Sequence, residues 1–266
     1  TKVTTRCPDE YAVNTLSDRI TLFLGRTAIV VVWFLVWEWT ARTEALPPAF
    51  IGQPSVFLQT FFAQVADGTF LKATAITLNA VAIAFIIGSL LALLTALAMS
   101  VFPMLEKLLS PIIDALNALP RVALIPLFIL WFGLGVTQKV ASGVSIMYFI
   151  LLSYTMAGAK STDPDHLLLA RSLGISRSDI FRKIVIPSAV PAIFAGLRLG
   201  MIYTVLGVIT AELIAGGKGI GTLVSYYSNT FDPNGVFATL IMLIIVTSTL
   251  AAIMTRIEES FGKWRT

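Results

Sequence analysis

Three ionisable side chains stand inside or beside long apolar runs: Arg198 and Glu212 in "SAVPAIFAGLRLGMIYTVLGVITAELIAGG", and Asp114 in "LEKLLSPIIDALNALP". A charge at membrane depth is costly, so it is found paired, hydrated or in use. At a helical rise of about 1.5 Å per residue, Arg198 lies about 10 Å past Pro191, beyond easy escape to water unless its side chain snorkels. Two roles are open to it. One is a structural pair, for which Glu212 and Asp114 are the natural partners, and the other is to lend positive potential to an anion path. Asn79, Thr77 and Tyr203 could line a polar cavity or serve as hydrogen-bonding glue between helices. Glu38 and Arg26, near the ends of the first apolar run, read as snorkelling anchors. No catalytic pair is expected, because the one histidine, His166, and the one cysteine, Cys7, both fall outside the apolar runs. "GGKGIG" at 216–221 does not meet the G-x-x-x-x-G-K-[ST] spacing, so no ATP hydrolysis is expected of this chain. That run reads as a turn or re-entrant loop, or as a contact for an external protein.

The densest polar punctuation is "LLLARSLGISRSDIFRKIVIPSAVP", residues 167–191. Thr162 or Asp163 can cap a helix whose first turn holds Pro164 and Asp165, and Gly174 follows its last turn, where a left-handed stop is needed. The spacing predicts a helix of about ten residues. Ser176, with Asp179 three residues later, starts a second helix that carries Arg182 and Lys183 toward the membrane and meets Pro187. Leu167, Ala170 and Leu173 are spaced by three and present one apolar edge, with Arg171 at its margin. A segment so specified, yet too short to stand alone, reads as a docking element.

The elements that carry these residues follow from composition. Of 266 residues, 56% are hydrophobic and 13% charged, and the mean hydropathy is +0.85, which excludes an ordinary soluble domain and places the chain in a bilayer. Six spans are predicted, at 20–40, 74–100, 121–135, 140–159, 188–213 and 235–255. The third is short and follows an amphipathic segment expected to lie at, or dip into, one membrane face. With the N-terminus inside, fourteen of the nineteen Lys and Arg residues face the cytoplasm, Arg121 among them. Arg42, Lys72, Lys139 and Lys218 face out. The net charge of +4 therefore reports topology, and no nucleic-acid partner is inferred. Residues 1–19 are polar and lack an apolar core before a small-residue cleavage site, so the first span is expected to act as its own insertion signal. The expected organisation is a cytoplasmic segment 1–19, a six-span domain 20–257 with the hairpin 162–187, and a cytoplasmic tail 258–266.

The hairpin resembles the cytoplasmic signature loop of importer permeases of the ATP-binding-cassette (ABC) superfamily, whose pattern runs E-A-A, three residues, G, nine residues, I-x-L-P. Ala170, Gly174, Ile184 and Pro187 fall at those places, with Ile186 for the leucine, while Leu168 and Leu169 replace the Glu and first Ala. "LPPAFIGQPSVFLQTF", "LSPIIDALNALPRVALIPLFILWFGLG" and "GLRLGMIYTVLGVITAELIAGGKGIGTLV" are similar to the nitrate, taurine and sulfonate branch. The resemblance implies an all-α integral membrane protein with six transmembrane helices and a cytoplasmic coupling-helix hairpin, the type I importer fold. It further implies ABC ATPase partners on Leu167, Leu168, Ala170, Arg171, Leu173, Gly174 and Pro187, with ATP and Mg held by those partners and no cofactor here. A second permease copy and an extracytoplasmic solute-binding protein complete the implied complex, in a bacterial inner membrane with both termini cytoplasmic. The solute path would run past Arg198, Glu212, Asp114, Asn79 and Tyr203. An ion-gradient-driven secondary transporter is the rival. It predicts a carboxylate relay or an inverted repeat, and only Asp114 and Glu212 speak for it.

Overall fold

The computed structural model describes residues 16–43 and 48–262. Cys7, the polar segment 1–15, Lys263 and Arg265 lie outside the described residues. Every regular element among those described is helical: α1 (Leu16–Arg42), α2 (Pro48–Ile51), α3 (Pro54–Ala66), α4 (Thr69–Val101), α5 (Pro103–Asn117), α6 (Ile125–Phe132), α7 (Val136–Lys160), α8 (Pro164–Ser172), α9 (Arg177–Ile180), α10 (Ile186–Ala215), α11 (Ile220–Asn229) and α12 (Pro233–Gly262). A 3₁₀ turn, Arg121–Leu124, leads into α6, and a π turn, Phe181–Val185, joins α9 to α10.

Five helices are long and apolar enough to cross a bilayer, or six if α5 and the segment through α6 count as one span bent by 89°. The short third run expected at 121–135 thus spans only together with the amphipathic segment before it. At about 1.5 Å per residue α6 is roughly 12 Å long, far short of a hydrocarbon core of about 30 Å. Pro120 causes the break: its ring disfavours helical angles at the residue before it, and Pro120 itself is extended at φ −66° and ψ 111°. Two short helices, α3 and α11, were not anticipated. Each starts where a proline or glycine ends the preceding geometry, at Pro54 and Gly219.

The core is the contact of α4, α7 and α10, built on Ala80, Val81, Ala84, Met201, Val205, Val208 and Ile209. Toward the hairpin end it continues as Ala92, Ala96, Met99, Met147, Leu151 and Leu152, which take up Leu105, Leu109 and Ile113 of α5. Gly196 and Gly200, spaced for close helix contact, serve inside this chain: a Cβ at Gly196 would sit 2.7 Å from that of Tyr154, and one at Gly200 would overlap the Met147 sulfur. The α1 helix stands apart. Trp37 packs on Phe57 at 5.5 Å and Phe237 at 4.9 Å between ring centroids. Beside it Glu38 accepts from Gln53 Nε2 at 2.8 Å, Ser55 N at 3.0 Å and Arg42 Nε at 2.7 Å. Glu38 therefore ties α1 to the start of α3, where a snorkelling anchor was expected.

Candidate coupling hairpin and solute path

Local backbone chemistry shapes the hairpin. Asp163 caps α8 by accepting from Asp165 N at 2.9 Å. The other end is a Schellman closure: Ile175 N donates to Ala170 O at 3.1 Å and Gly174 N to Arg171 O at 3.0 Å, with Gly174 at φ +71°. Ser176 Oγ then caps α9, accepting from Asp179 N at 3.1 Å. The second helix does not stop at Pro187. Proline has no N–H to return to the carbonyl four residues back, and the widened π turn at Phe181–Val185 carries the chain past this gap into α10. Ser188 Oγ donates to Ile184 O at 2.7 Å in the same region. The second arm of the hairpin and the fifth span are therefore one continuous rod from Arg177 to Ala215.

The apolar edge differs from the predicted one. Ala170 is only 3% exposed and Leu167 is half-buried, whereas Leu168, Leu169 and Leu173 are 65%, 59% and 69% exposed. The positions where leucine replaces the usual Glu and Ala thus supply most of the outward apolar surface, with Arg171 exposed beside them. Behind this edge is a cleft of about 1210 Å³, lined in part by His166, Leu169, Leu173, Lys183, Pro187 and, from α12, Glu258.

At the opposite end of α10 the structure assembles a polar cluster that the sequence did not reveal. Glu212 is fully buried and pairs with Lys139 Nζ at 3.0 Å. The Thr77 hydroxyl lies 3.0 and 2.9 Å from the two carboxylate oxygens, and Gly221 N donates at 2.9 Å. Ile220 N donates to Thr77 Oγ1 at 2.9 Å, and Lys139 Nζ also donates to the Lys218 carbonyl. "GGKGIG" is therefore the lid of this cluster: Gly219 has φ +136°, and any Cβ there would overlap the Glu212 carboxylate. Lys139 was placed among the outward-facing cations. It is 3% exposed, and the signal for it was a lysine near the start of an apolar helix in a chain with one unmatched carboxylate.

The five candidate path residues are not brought together. Arg198 pairs with Glu258 of α12 at 3.2 Å, with side chains 46% and 31% exposed, and not with Glu212 or Asp114. Along α10 it lies about 21 Å from Glu212 at a rise of about 1.5 Å per residue. Asp114 is exposed on α5, Asn79 is exposed on α4, and Tyr203 is 42% exposed on α10. Arg121, expected on the cytoplasmic side, lies against the middle of α7. Its guanidinium carbon lies 4.1 Å from the ring centroid of Phe149, half-way along α7. Among the described residues no group of three or more His, Cys, Asp and Glu side chains is arranged to hold a metal ion.

The described residues form a bundle of apolar helices with a capped, apolar-edged hairpin projecting from one end. The chain belongs to the family of binding-protein-dependent transport system inner membrane components, whose profile matches residues 84–263. It is similar to the taurine transport system permease protein TauC of Escherichia coli K12, 27% identical over 94% of this chain and 91% of that one. It is also similar to the riboflavin transport system permease protein RibX of Chloroflexus aurantiacus, 27% identical over 91% of this chain and 90% of that one. The formylaminopyrimidine transport permease protein ThiX of Halalkalibacterium halodurans is 26% identical over 91% and 96%. The fold matches an amino acid ABC transporter crystallised with histidines, at TM-score 0.64 and 21% identity over 75% of this chain and 98% of that one. It also matches the inward-facing MetNI methionine ABC transporter, at TM-score 0.62 and 16% identity over 71% and 94%. The protein is a multi-pass, non-catalytic permease subunit of an ABC importer, and ATP hydrolysis belongs to a separate subunit.

Proposed function

We propose that two copies of this chain form the membrane path of the importer, with hairpin 162–187 and both termini in the cytoplasm. Each hairpin docks an ABC ATPase, which holds ATP and Mg, and the outer mouth receives solute from a binding protein. The domain limits follow: residues 1–19 and 258–266 are cytoplasmic and 20–257 form the permease. The observation that carries this reading is the exposed Leu168, Leu169 and Leu173 surface on a helix fixed at both ends by local caps. Rigid apolar edges of this kind bury well in a groove, because little entropy is left to lose. A displacement of the docked ATPase would reach the span through the capped turn at Gly174–Ser176 and then the arm from Arg177, which is continuous with α10. Cargo is a small anion or small polar organic solute, in keeping with the taurine, sulfonate and pyrimidine relatives. The path passes the exposed faces that carry Arg198, Asn79 and Tyr203.

The test is co-purification. Leu168→Asp with Leu173→Asp places two charges on the edge and should strip the ATPase from the permease while the permease itself is recovered at normal yield, since neither side chain is buried in the chain. Undiminished co-purification would show that the ATPase docks elsewhere.

A further inference from the structure

We propose that Arg121 binds the oxyanion of the cargo part-way across the membrane, an assignment that deepens the anionic-cargo reading and rests on it. Depth comes from α7. At about 1.5 Å per residue, Phe149 lies roughly 20 Å from the outer end of α7 and roughly 16 Å from its inner end at Lys160, and the Arg121 guanidinium is stacked on its ring at 4.1 Å. Arg121 has no carboxylate partner among the described residues, whereas Lys139, Lys160 and Arg198 are paired with Glu212, Glu106 and Glu258. Its described hydrogen bond is from Nη2 to Asn117 Oδ1 at 3.1 Å, and a guanidinium carries five donors. Stacking fixes the plane of the fork and leaves donors on its edge for a bidentate oxyanion.

The backbone leads independently to the same place. Between α5 and the turn at Arg121 the chain leaves the helix, and Ala118, Leu119 and Pro120 are exposed in the single subunit. Non-helical backbone at membrane depth is tolerated only where protein covers it or water reaches it, never against lipid. An unpaired cation at this depth carries the same requirement. The corner of the bent span therefore faces the water-filled path between subunits. Arg198 does not meet these criteria, since Glu258 already balances its charge.

Leu124 lies one 3₁₀ turn after Arg121 and on the same face, so a cysteine there reports on the field of the guanidinium without knowledge of the cargo. The full chain carrying Cys7→Ser and Leu124→Cys, assembled with its ATPase in proteoliposomes, is treated with 2-sulfonatoethyl and 2-(trimethylammonium)ethyl methanethiosulfonate. The anionic reagent should react faster relative to the cationic one than it does with a free thiol. Arg121→Gln should lower that ratio about tenfold or more, and Arg121→Lys should hold it within about twofold. In the chain that retains Arg121, ethanesulfonate should slow the anionic reagent saturably where equal chloride does not. This second measurement stands even if Arg121→Gln fails to assemble. A cysteine at 124 that reacts with neither reagent, with or without ATP, would overturn the proposal. So would a ratio indifferent to Arg121→Gln, or no slowing by ethanesulfonate. If the ratio and the ethanesulfonate effect are as expected but the parent complex takes up no anionic solute, the Arg121 site stands and the anionic-cargo reading falls.

Discussion

Replacing Lys139 by methionine isolates the buried pair at the Ala215 end of α10. The substitution keeps the length and apolar stem of the side chain but removes the ammonium, leaving Glu212 fully buried with the Thr77 hydroxyl and the Gly221 amide as its remaining donors. Thr77 has a single proton to give, so two donors face a charge that had three. Breaking a buried pair from one side typically costs about 3–5 kcal/mol, because the surviving charge is stranded. At about 1.4 kcal/mol per factor of ten, this lowers the folded-to-unfolded ratio by two to three orders of magnitude or more. Replacing both members, with Lys139→Met and Glu212→Gln, removes the stranded charge and should return the protein to within about 2 kcal/mol of the parent, since pairs replaced together are often near neutral. The assay is unfolding in mixed micelles by titration with a denaturing detergent, run on the parent, both single variants and the double variant as a cycle. A Lys139→Met chain within about 1 kcal/mol of the parent, or a double variant no more stable than the single ones, would refute the reasoning.

Three further outcomes follow from the same structure. Gly174→Val meets no neighbour, as nothing lies within 4 Å of the added Cβ, so its cost is the left-handed backbone alone, about 1–2 kcal/mol; this should leave the permease folded while uptake falls relative to ATP hydrolysis, and unchanged coupling in reconstituted vesicles would contradict it. Arg198→Gln should destabilise by no more than about 1 kcal/mol, as exposed pairs contribute little, and its coupling in a double-mutant cycle should appear with Glu258→Gln and be absent with Glu212→Gln. After Cys7 is replaced, a cysteine at Asn234 should react with an impermeant thiol reagent added outside sealed cells while one at Ser178 is protected; the reverse pattern would invert the orientation.

The hairpin was legible because everything that shapes it is local. Asp163, Gly174 and Ser176 act on backbone groups two to five residues away, and capping rules operate at that range. Its outward edge was not legible, since deciding between Ala170 and Leu168 requires knowing which side of α8 the fold buries. The charges were misassigned for a related reason. Glu212 and Lys139 are 73 positions apart, and helix periodicity carries no information at that distance, so Glu212 was matched with the nearest intramembrane cation on its own helix. The bent span hid Arg121 in the same way: an apolar run that begins with an arginine reads as a helix starting at the membrane surface, and only the 89° turn near Pro120 brings that start against Phe149 in the middle of α7.

The two ends of the molecule are held by interactions of different strength, and this bears on how it moves. The cations on the hairpin side pair as Lys160 with Glu106, Lys183 with Asp179 and Arg198 with Glu258, and the basic side chains are 66%, 74% and 46% exposed. Each such pair contributes about 0–1 kcal/mol and exchanges readily with water, so rearranging that end strands no charge. At the outer end, separating α7 from α10 would desolvate nothing further but would leave Lys139 and Glu212 apart in an apolar setting, at several times that cost. The rod from Arg177 to Ala215 also packs closely on α7 through Gly158, Gly196 and Gly200, but that contact is apolar and can slide without stranding a charge. Rigid elements turning or sliding about a fixed contact are a recurrent means of switching between states, and the glycine-lidded ion pair is the contact that such a motion would cost most to break.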